Sequence, residues 1–278
     1  MRSAAPLRFS KMHGAGNDFV IVDRRHGAVE LSPERIARIA DRHRGVGFDQ
    51  LITIDPPRAA GAVAAYAIFN ADGSRAAQCG NGARCVAAWL RRDGAASNDA
   101  FALDGPSGRV LARPAPEGIG IDMGVPDFSS AAVGLARAPV DPQRFELGGE
   151  SIEAGVVSMG NPHAVIEVAD VDRAEVARIG AALQRDPDFS DSCNIGFAQV
   201  LDAGHIRLRV HERGVGETLA CGSGACAAVA VLARRGRVGT QVAVQLPGGV
   251  LHIHWDGPGQ SMHMAGPAEF VFEGEFLT

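Results

Sequence analysis

Two stretches half a chain apart decide how this sequence is read: Gln78-Cys79-Gly80-Asn81-Gly82-Ala83-Arg84 and Ala220-Cys221-Gly222-Ser223-Gly224-Ala225-Cys226. Each sets a cysteine before Gly-x-Gly and runs on into an apolar stretch ending in arginine. Ala88, Leu90, Arg92 and Gly94 meet Ala230, Leu232, Arg234 and Gly236 at the same offset of 142 positions (221 − 79). The repeat extends to single polar residues: Gly16-Asn17 corresponds to Gly160-Asn161, Gln50 to Asn194, and Asn70 to Glu212. A duplicated chain with equivalent thiols implies one pocket with two opposed faces. Such a pocket suits chemistry that removes a proton on one side and supplies one on the other.

The 278 residues, 46% of them hydrophobic, suffice for two domains of about 120 to 140 residues each. Strands are predicted near Leu7–Met12, Phe19–Asp23, Leu51–Ile54 and Ala62–Asn70, where the chain is apolar and partly β-branched or aromatic. Ser32-Pro33-Glu34 predicts a capped helix with Ile36, Ile39 and Ala40 on its apolar stripe, and a second helix should run from just after Cys79 to about Arg92. Gly105 to Gly118 is rich in Gly and Pro, and Val125 to Pro142 reads as the crossover between halves. The order then returns: strands near Ile152–Met159 and Ala164–Val168, a helix opened by Asp172 with Glu175 completing a capping box, strands at Ile195–Leu201 and Ile206–His211, and the Cys221 helix. Strands near Val242–Leu246, Val250–Trp255 and Glu269–Phe272 finish the chain. The fold class is α+β, duplicated.

Composition narrows the function. A net charge of −5 with no basic cluster beyond Arg91-Arg92 and Arg234-Arg235 argues against nucleic acid as a partner. The longest apolar runs, Ala59 to Phe69 and Ala225 to Ala233, are shorter than a membrane helix, so no membrane association is expected. The opening Met1-Arg2-Ser3-Ala4-Ala5-Pro6 lacks an apolar export segment, which makes a cytoplasmic location the expectation. Five cysteines without a C-x-x-C spacing favour reduced thiols over disulfides or a metal site. Lys11, the only lysine, lies in a predicted strand, so a pyridoxal-phosphate Schiff base is not expected.

An amino acid's α-proton is far less acidic than a thiol, so a cysteine base needs assistance. A helix amino terminus offers unpaired N–H groups that favour anions, which should lower a capping cysteine's pKa and cradle a substrate carboxylate as charge spreads into it. Cys79 and Cys221 fit this reading, whereas Cys85, Cys193 and Cys226 read as small buried hydrophobes. Glu212-Arg213, at a strand end, would carry a site role, Arg213 gripping a second carboxylate bidentately. His163 follows Asn161-Pro162 in a loop and is a candidate neighbour of the thiols. Gly14-Ala15-Gly16 lacks the third glycine of a dinucleotide site, and Ser223 lacks the flanking glycines of a nucleophile elbow. A Cys79–His163 hydrolase pair would leave Cys221 unexplained.

Four strings in one order, Lys11 to Phe19, Asn70 to Cys85, Met159 to Val165 and Glu212 to Cys226, closely resemble the diaminopimelate epimerase family, and the likeness runs from about Leu7 onward. The resemblance implies a cofactor-independent epimerase, with no metal, that interconverts L,L- and meso-diaminopimelate for lysine and peptidoglycan synthesis. It implies two pseudo-symmetric lobes, each a β-barrel-like sheet around a central helix: 1–124, to which 266–278 return, and 125–265. Carried over residue by residue, Cys79 and Cys221 are the acid/base pair, while Gly80, Asn81, Gly222 and Ser223 hold the reacting carboxylate. Asn17, Gln50, Asn70, Asn161, Asn194, Glu212 and Arg213 line the rest of the pocket, and His163 and Glu212 tune the thiols. A homodimer is implied as well.

The chain departs from the family pattern at His211, where an aromatic residue is common, at Ser223 for threonine, and at Phe272 for a dimer-contact tyrosine. Two alternatives stand beside this reading. A proline or hydroxyproline racemase on the same fold usually has Asp or Ser and then Pro before its second cysteine, unlike Thr218-Leu219-Ala220. A non-catalytic thiol redox or binding protein would tolerate loss of both cysteines.

Overall fold

The computed structural model describes residues 6–27 and 29–277. The opening Met1 to Ala5, on which the export reading rests, lies outside the described residues. The chain divides into two compact units, Met1–Ile121 with Gly266–Thr278, and Asp122–Ala265.

The first unit contains β1 (Leu7–Gly14), β2 (Asn17–Asp23), α1 (Pro33–Ala40), β3 (Gln50–Asp55), β4 (Ala62–Asn70), β5 (Arg75–Ala76), α2 (Gly80–Arg92), β6 (Phe101–Gly105), β7 (Gly108–Ala115) and β8 (Gly118–Asp122). The carboxy-terminal strand Glu269–Phe276 pairs antiparallel with β1. From there the ladder runs β1–β2 antiparallel, β2–β3 parallel, β3–β4 antiparallel, β4–β6 parallel, then β6–β7–β8 antiparallel. Parallel neighbours need a long crossover, and α1 and α2 supply the two. The Gly/Pro-rich stretch after Gly105 thus forms a strand meander, with Gly108 and Gly118 in positive-φ conformations at its turns.

Helix α1 starts where Ser32 accepts a hydrogen bond from Arg35 N, with Pro33 in the first turn. Its Ile36, Ile39 and Ala40 pack with Leu7, Phe9, Val20, Val22, Phe48 and Leu51 on one face of the sheet. Helix α2 packs against β1, β2, β3 and β7, strands from both ends of the ladder, so the sheet curls about it. Because both faces are covered, β2 and β3 read as continuous apolar runs instead of alternating ones.

The second unit contains α3 (Ser130–Val133), β9 (Gln143–Leu147), β10 (Glu150–Ser158), β11 (Pro162–Glu167), α4 (Val176–Leu183), β12 (Asn194–Asp202), β13 (His205–Glu212), β14 (Gly216–Thr218), α5 (Gly222–Arg234), β15 (Gln241–Leu246), β16 (Gly249–His254) and β17 (His263–Gly266). With the carboxy-terminal strand numbered β18 (Glu269–Phe276), the repeat is complete at the level of topology. The ladder β9–β10–β11–β12–β13–β15–β16–β17 matches β18–β1–β2–β3–β4–β6–β7–β8, with the parallel steps at β11–β12 and β13–β15 in the same places. Register agrees as well: Phe19 pairs with Gln50 in one unit and His163 with Asn194 in the other. Helix α5 packs on β10, β11, β12, β13 and β16. The fold is therefore α+β, built from two equivalent lobes that each wrap a mixed sheet about one helix.

One expected element starts elsewhere. The helix predicted to open at Asp172 begins at Val176, and Glu175 precedes it without a side-chain capping bond. Both carboxylates have stronger partners: Asp172 is held bidentately by Arg207 at 2.8 and 2.9 Å, and Glu175 by Arg178 at 2.6 and 2.9 Å. Charge-assisted pairing with arginine outcompetes a neutral backbone cap. Among the described residues, no helix is long and apolar enough to cross a membrane.

Candidate active site

Both buried helices begin at a cysteine. Cys79 (φ −148°, ψ 108°) and Cys221 (φ −120°, ψ 107°) are extended N-cap residues, and the Gly-x-Gly that follows forms the first helical turn. The second glycine of each motif is closely packed. A Cβ on Gly82 would lie 2.8 Å from Ile52 Cδ1, and one on Gly224 would lie 3.2 Å from Cys221 Sγ and 3.1 Å from Val210 Cγ2. The first-turn N–H groups are left for a capping side chain or an anion.

In the first unit, Cys79 is partly exposed, and its Sγ accepts a hydrogen bond from Gly82 N at 3.4 Å. The Sγ stands 3.6 Å from Asn17 Oδ1, which also accepts from Asn81 Nδ2 at 3.3 Å. Asn81 is oriented in turn by fully buried Arg84, whose Nη2 donates to Asn81 Oδ1 at 2.9 Å. Gly80 is the first residue of the helix. Gln50 and Asn70 face each other across β3 and β4, Gln50 Nε2 donating to Asn70 Oδ1 at 3.2 Å, while buried Gln50 Oε1 has no hydrogen-bond partner among the described residues. Asn17, Asn81 and Cys79 thus form one cluster, and Gln50 with Asn70 a second pair at the same strand ends.

The second unit carries the equivalent positions with different chemistry. Cys221 is buried, and its Sγ stands 3.7 Å from Ser223 Oγ. Burial pushes the Cys221 thiol well above the usual range, and the Glu212 carboxylate pushes it further, against the Ser223 hydroxyl and the Gly224 N–H. This corrects the sequence-based expectation for Cys221: desolvation and a neighbouring carboxylate outweigh the helix terminus. Thr218 Oγ1 donates to Glu212 Oε1 and fixes that carboxylate at the end of β13. Asn194 Oδ1 accepts from Arg213 N at 2.9 Å, and its Nδ2 donates to Pro162 O at 3.4 Å. Arg213 Nη1 is held at 2.7 Å by both Asp191 O and Asp191 Oδ2, which leaves the other edge of the guanidinium available for a carboxylate. His163, only 1% exposed, lies 3.2 Å from Asn161 Oδ1 through Nε2. Burial first, and Arg213 second, lower the His163 pKa to about 3, so the ring is neutral at physiological pH.

Cys85, Cys193 and Cys226 are fully buried. Burial raises the Cys85 thiol to about 12 and the Cys193 thiol strongly upward, which makes both inert at neutral pH. Lys11, the one lysine, is buried on Asp18 and the Gly47 carbonyl. Among the described residues, no group of three or more His, Cys, Asp or Glu is placed to hold a metal ion.

The repeat did not reveal a charged network beneath Asn17. Asp49 Oδ2 accepts from Asn17 Nδ2 at 2.9 Å, and Arg42 Nη2 bridges Asp18 Oδ1 and Asp49 Oδ1 at 2.8 Å each. Burial alone would raise the Asp18 carboxyl, but Arg42 and Lys11 overcome it and hold the pKa at about 2. At the offset that matches Asn17 with Asn161, Asp18 and Asp49 fall on Pro162 and Cys193, so a search for repeated polar residues passes over them. The available signal was the parallel pairing of β2 and β3, which sets two carboxylates side by side and demands cations.

The fold is shared with proteins of distant sequence. A hydroxyproline epimerase from Agrobacterium vitis, solved with bound trans-4-hydroxy-L-proline, superposes with a TM-score of 0.70 at 16% identity, covering 100% of this chain and 94% of that one. A phenazine biosynthesis protein of the PhzF family from Bacillus anthracis gives 0.68 at 17% identity, covering 99% and 100%. The sequence decides the family. The diaminopimelate epimerase family model matches residues 9–129 and 155–271. The diaminopimelate epimerase of Xanthomonas euvesicatoria pv. vesicatoria is 56% identical over 97% of this chain and 96% of its own length, and that of Xylella fastidiosa strain M12 is 52% identical over the same shares. The chain belongs to the diaminopimelate epimerase family.

Proposed function

We propose that this chain interconverts L,L-diaminopimelate and meso-diaminopimelate without a cofactor, as an amino-acid epimerase serving lysine and peptidoglycan synthesis. The observation that carries the reading is the recurrence of one device in both repeats: a cysteine capping a buried helix whose first turn is Gly-x-Gly. In this reading one sulfur removes the α-proton as thiolate while the other, as thiol, delivers a proton to the opposite face. The helix N–H groups, together with Asn81 and Ser223, stabilise the carboxylate as charge develops in it. Glu212, against Cys221, favours that sulfur's protonated form, and neutral His163 is a hydrogen-bonding partner, not a fixed charge. Asn17, Gln50, Asn70, Asn161, Asn194, Glu212 and Arg213 line the rest of the pocket and read both ends of the substrate.

Arg213 favours diaminopimelate over a cyclic imino acid, which has no second carboxylate to occupy the open edge of the guanidinium. Incubation of the purified, reduced protein with L,L-diaminopimelate, L-proline and trans-4-hydroxy-L-proline in D2O separates the readings. We expect α-deuterium in diaminopimelate only; labelling of proline or hydroxyproline in preference to it would favour the racemase alternative. We further propose a cytoplasmic homodimer, supported by the exposed Val271 and Phe272 side chains on β18. Light scattering at micromolar concentration should give twice the monomer mass; a monomer at that concentration would contradict it.

A further inference from the structure

We propose that Asp49 is a positioning residue that locks the Asn17 amide with its carbonyl toward Cys79, so that the Cys79 thiol hydrogen is aimed at Asn17 Oδ1; the proposal rests on Cys79 being a reacting thiol. A carboxylate can only accept, so the 2.9 Å contact to Asp49 Oδ2 identifies the Asn17 atom facing it as Nδ2. The carbonyl must then point the other way, where it takes the Asn81 amide at 3.3 Å and faces Cys79 Sγ at 3.6 Å. Arg84 fixes Asn81 independently, since a guanidinium only donates and its Nη2 bonds Asn81 Oδ1 at 2.9 Å. Flipping Asn17 would set its carbonyl against a carboxylate and its NH2 against the NH2 of Asn81. Two charged anchors therefore leave a single arrangement of amides around the sulfur.

Asp49 is itself held in place. Its Oδ2 also accepts from Asp18 N at 3.1 Å, its Oδ1 from Arg42 Nη2 at 2.8 Å, and its own N–H donates to Asp18 Oδ1 at 2.9 Å. Asp18 is anchored beneath by buried Lys11. The sulfur thus meets a backbone donor, Gly82 N, on one side and an oriented acceptor on the other. Released from Asp49, the amide is held in this sense only by the Asn81 NH2, so turning its own NH2 toward the sulfur costs less, and that turn favours the thiolate.

The test is the alkylation rate of Cys79 by iodoacetamide at one fixed pH, followed on its peptide by mass spectrometry, together with kcat and KM. In D49A we expect alkylation roughly threefold faster or more, as one oriented hydrogen bond is lost, with kcat reduced more than KM is changed. D49N should fall between wild type and D49A, because the carbonyl of the introduced amide can still accept from Asn17 Nδ2 while its NH2 meets the Arg42 guanidinium, also a donor. In an N17A background D49A should add nothing. If D49A fails to fold, D49S replaces it, its hydroxyl being too short to reach Asn17. Equal effects of D49N and D49A, an unchanged rate in D49A, or a D49A effect that persists without Asn17 would overturn the proposal. An alkylation pattern as expected in a protein that does not isomerise diaminopimelate would instead overturn the functional reading and leave the positioning role standing.

Discussion

Glu212 and Cys221 show how one carboxylate can decide the resting state of a sulfur. A buried thiol beside an anion stays protonated, and Thr218 keeps that anion in place. Replacing Glu212 with Gln removes the charge while keeping its shape. In a Cys79→Ser background, E212Q should speed alkylation of Cys221 at pH 8; an unchanged or slower rate would show that Glu212 does not control this thiol. His163 gives a second residue-level prediction. Its folded pKa of about 3 lies below the ordinary value of 6.5. Below pH 6.5 the unfolded chain therefore binds a proton that the folded one refuses. Stability should be unaffected by this group above pH 6.5 and fall as pH drops from 6.5 toward 3, by up to about 1.4 kcal/mol per pH unit. Urea unfolding of H163N should lack one proton's worth of that slope. A slope equal to wild type would mean that His163 titrates normally in the folded state.

At the scale of elements, packing and chemistry should separate cleanly. Ile39→Ala in α1 removes a buried side chain far along the chain from the thiols, and should cost about 2 to 5 kcal/mol of stability with kcat retained at temperatures where the protein is folded. Gly224→Ala should do the reverse. Its Cβ would crowd Cys221 Sγ at 3.2 Å, moving the sulfur by a few tenths of an ångström at small cost in Tm but with a loss in kcat of roughly tenfold or more. Equal activity in G224A and wild type would show that the position of this sulfur is not critical. The elements were largely legible because their signals are local. Ser32-Pro33 marks the start of α1, and the cysteines before Gly-x-Gly mark α2 and α5. The start of α4 was not legible, because Arg207 takes Asp172 from 35 positions away in sequence, a partner no local pattern reveals. The meander after Gly105 was obscured by the same glycines that make its turns.

For the whole molecule, the duplication was readable from two heptapeptides, and the matching strand ladders extend it to every strand of both lobes. The repeat also limited what could be read. It found residues that recur, such as Asn17 with Asn161 and Gln50 with Asn194, and missed Lys11, Asp18, Arg42 and Asp49, which occur on one side only. Those one-sided charges are where the two lobes differ in chemistry. The charged set beneath Asn17 should also matter to acid stability. The Asp18 carboxyl, held at about 2, contributes stability above its ordinary pKa of 3.8 that is lost as pH falls through about 2, a window that overlaps that of His163 only between about 3.8 and 3.

The central claim, that two sulfurs act on opposite faces of one carbon, is tested most directly by early turnover in D2O. Starting from L,L-diaminopimelate, the first meso product should carry one deuterium at the inverted centre while the remaining substrate stays unlabelled, and neither Cys79→Ala nor Cys221→Ala should form meso product. Deuterium entering the recovered L,L-substrate as fast as the product, or meso product formed by either single-cysteine variant, would contradict the account.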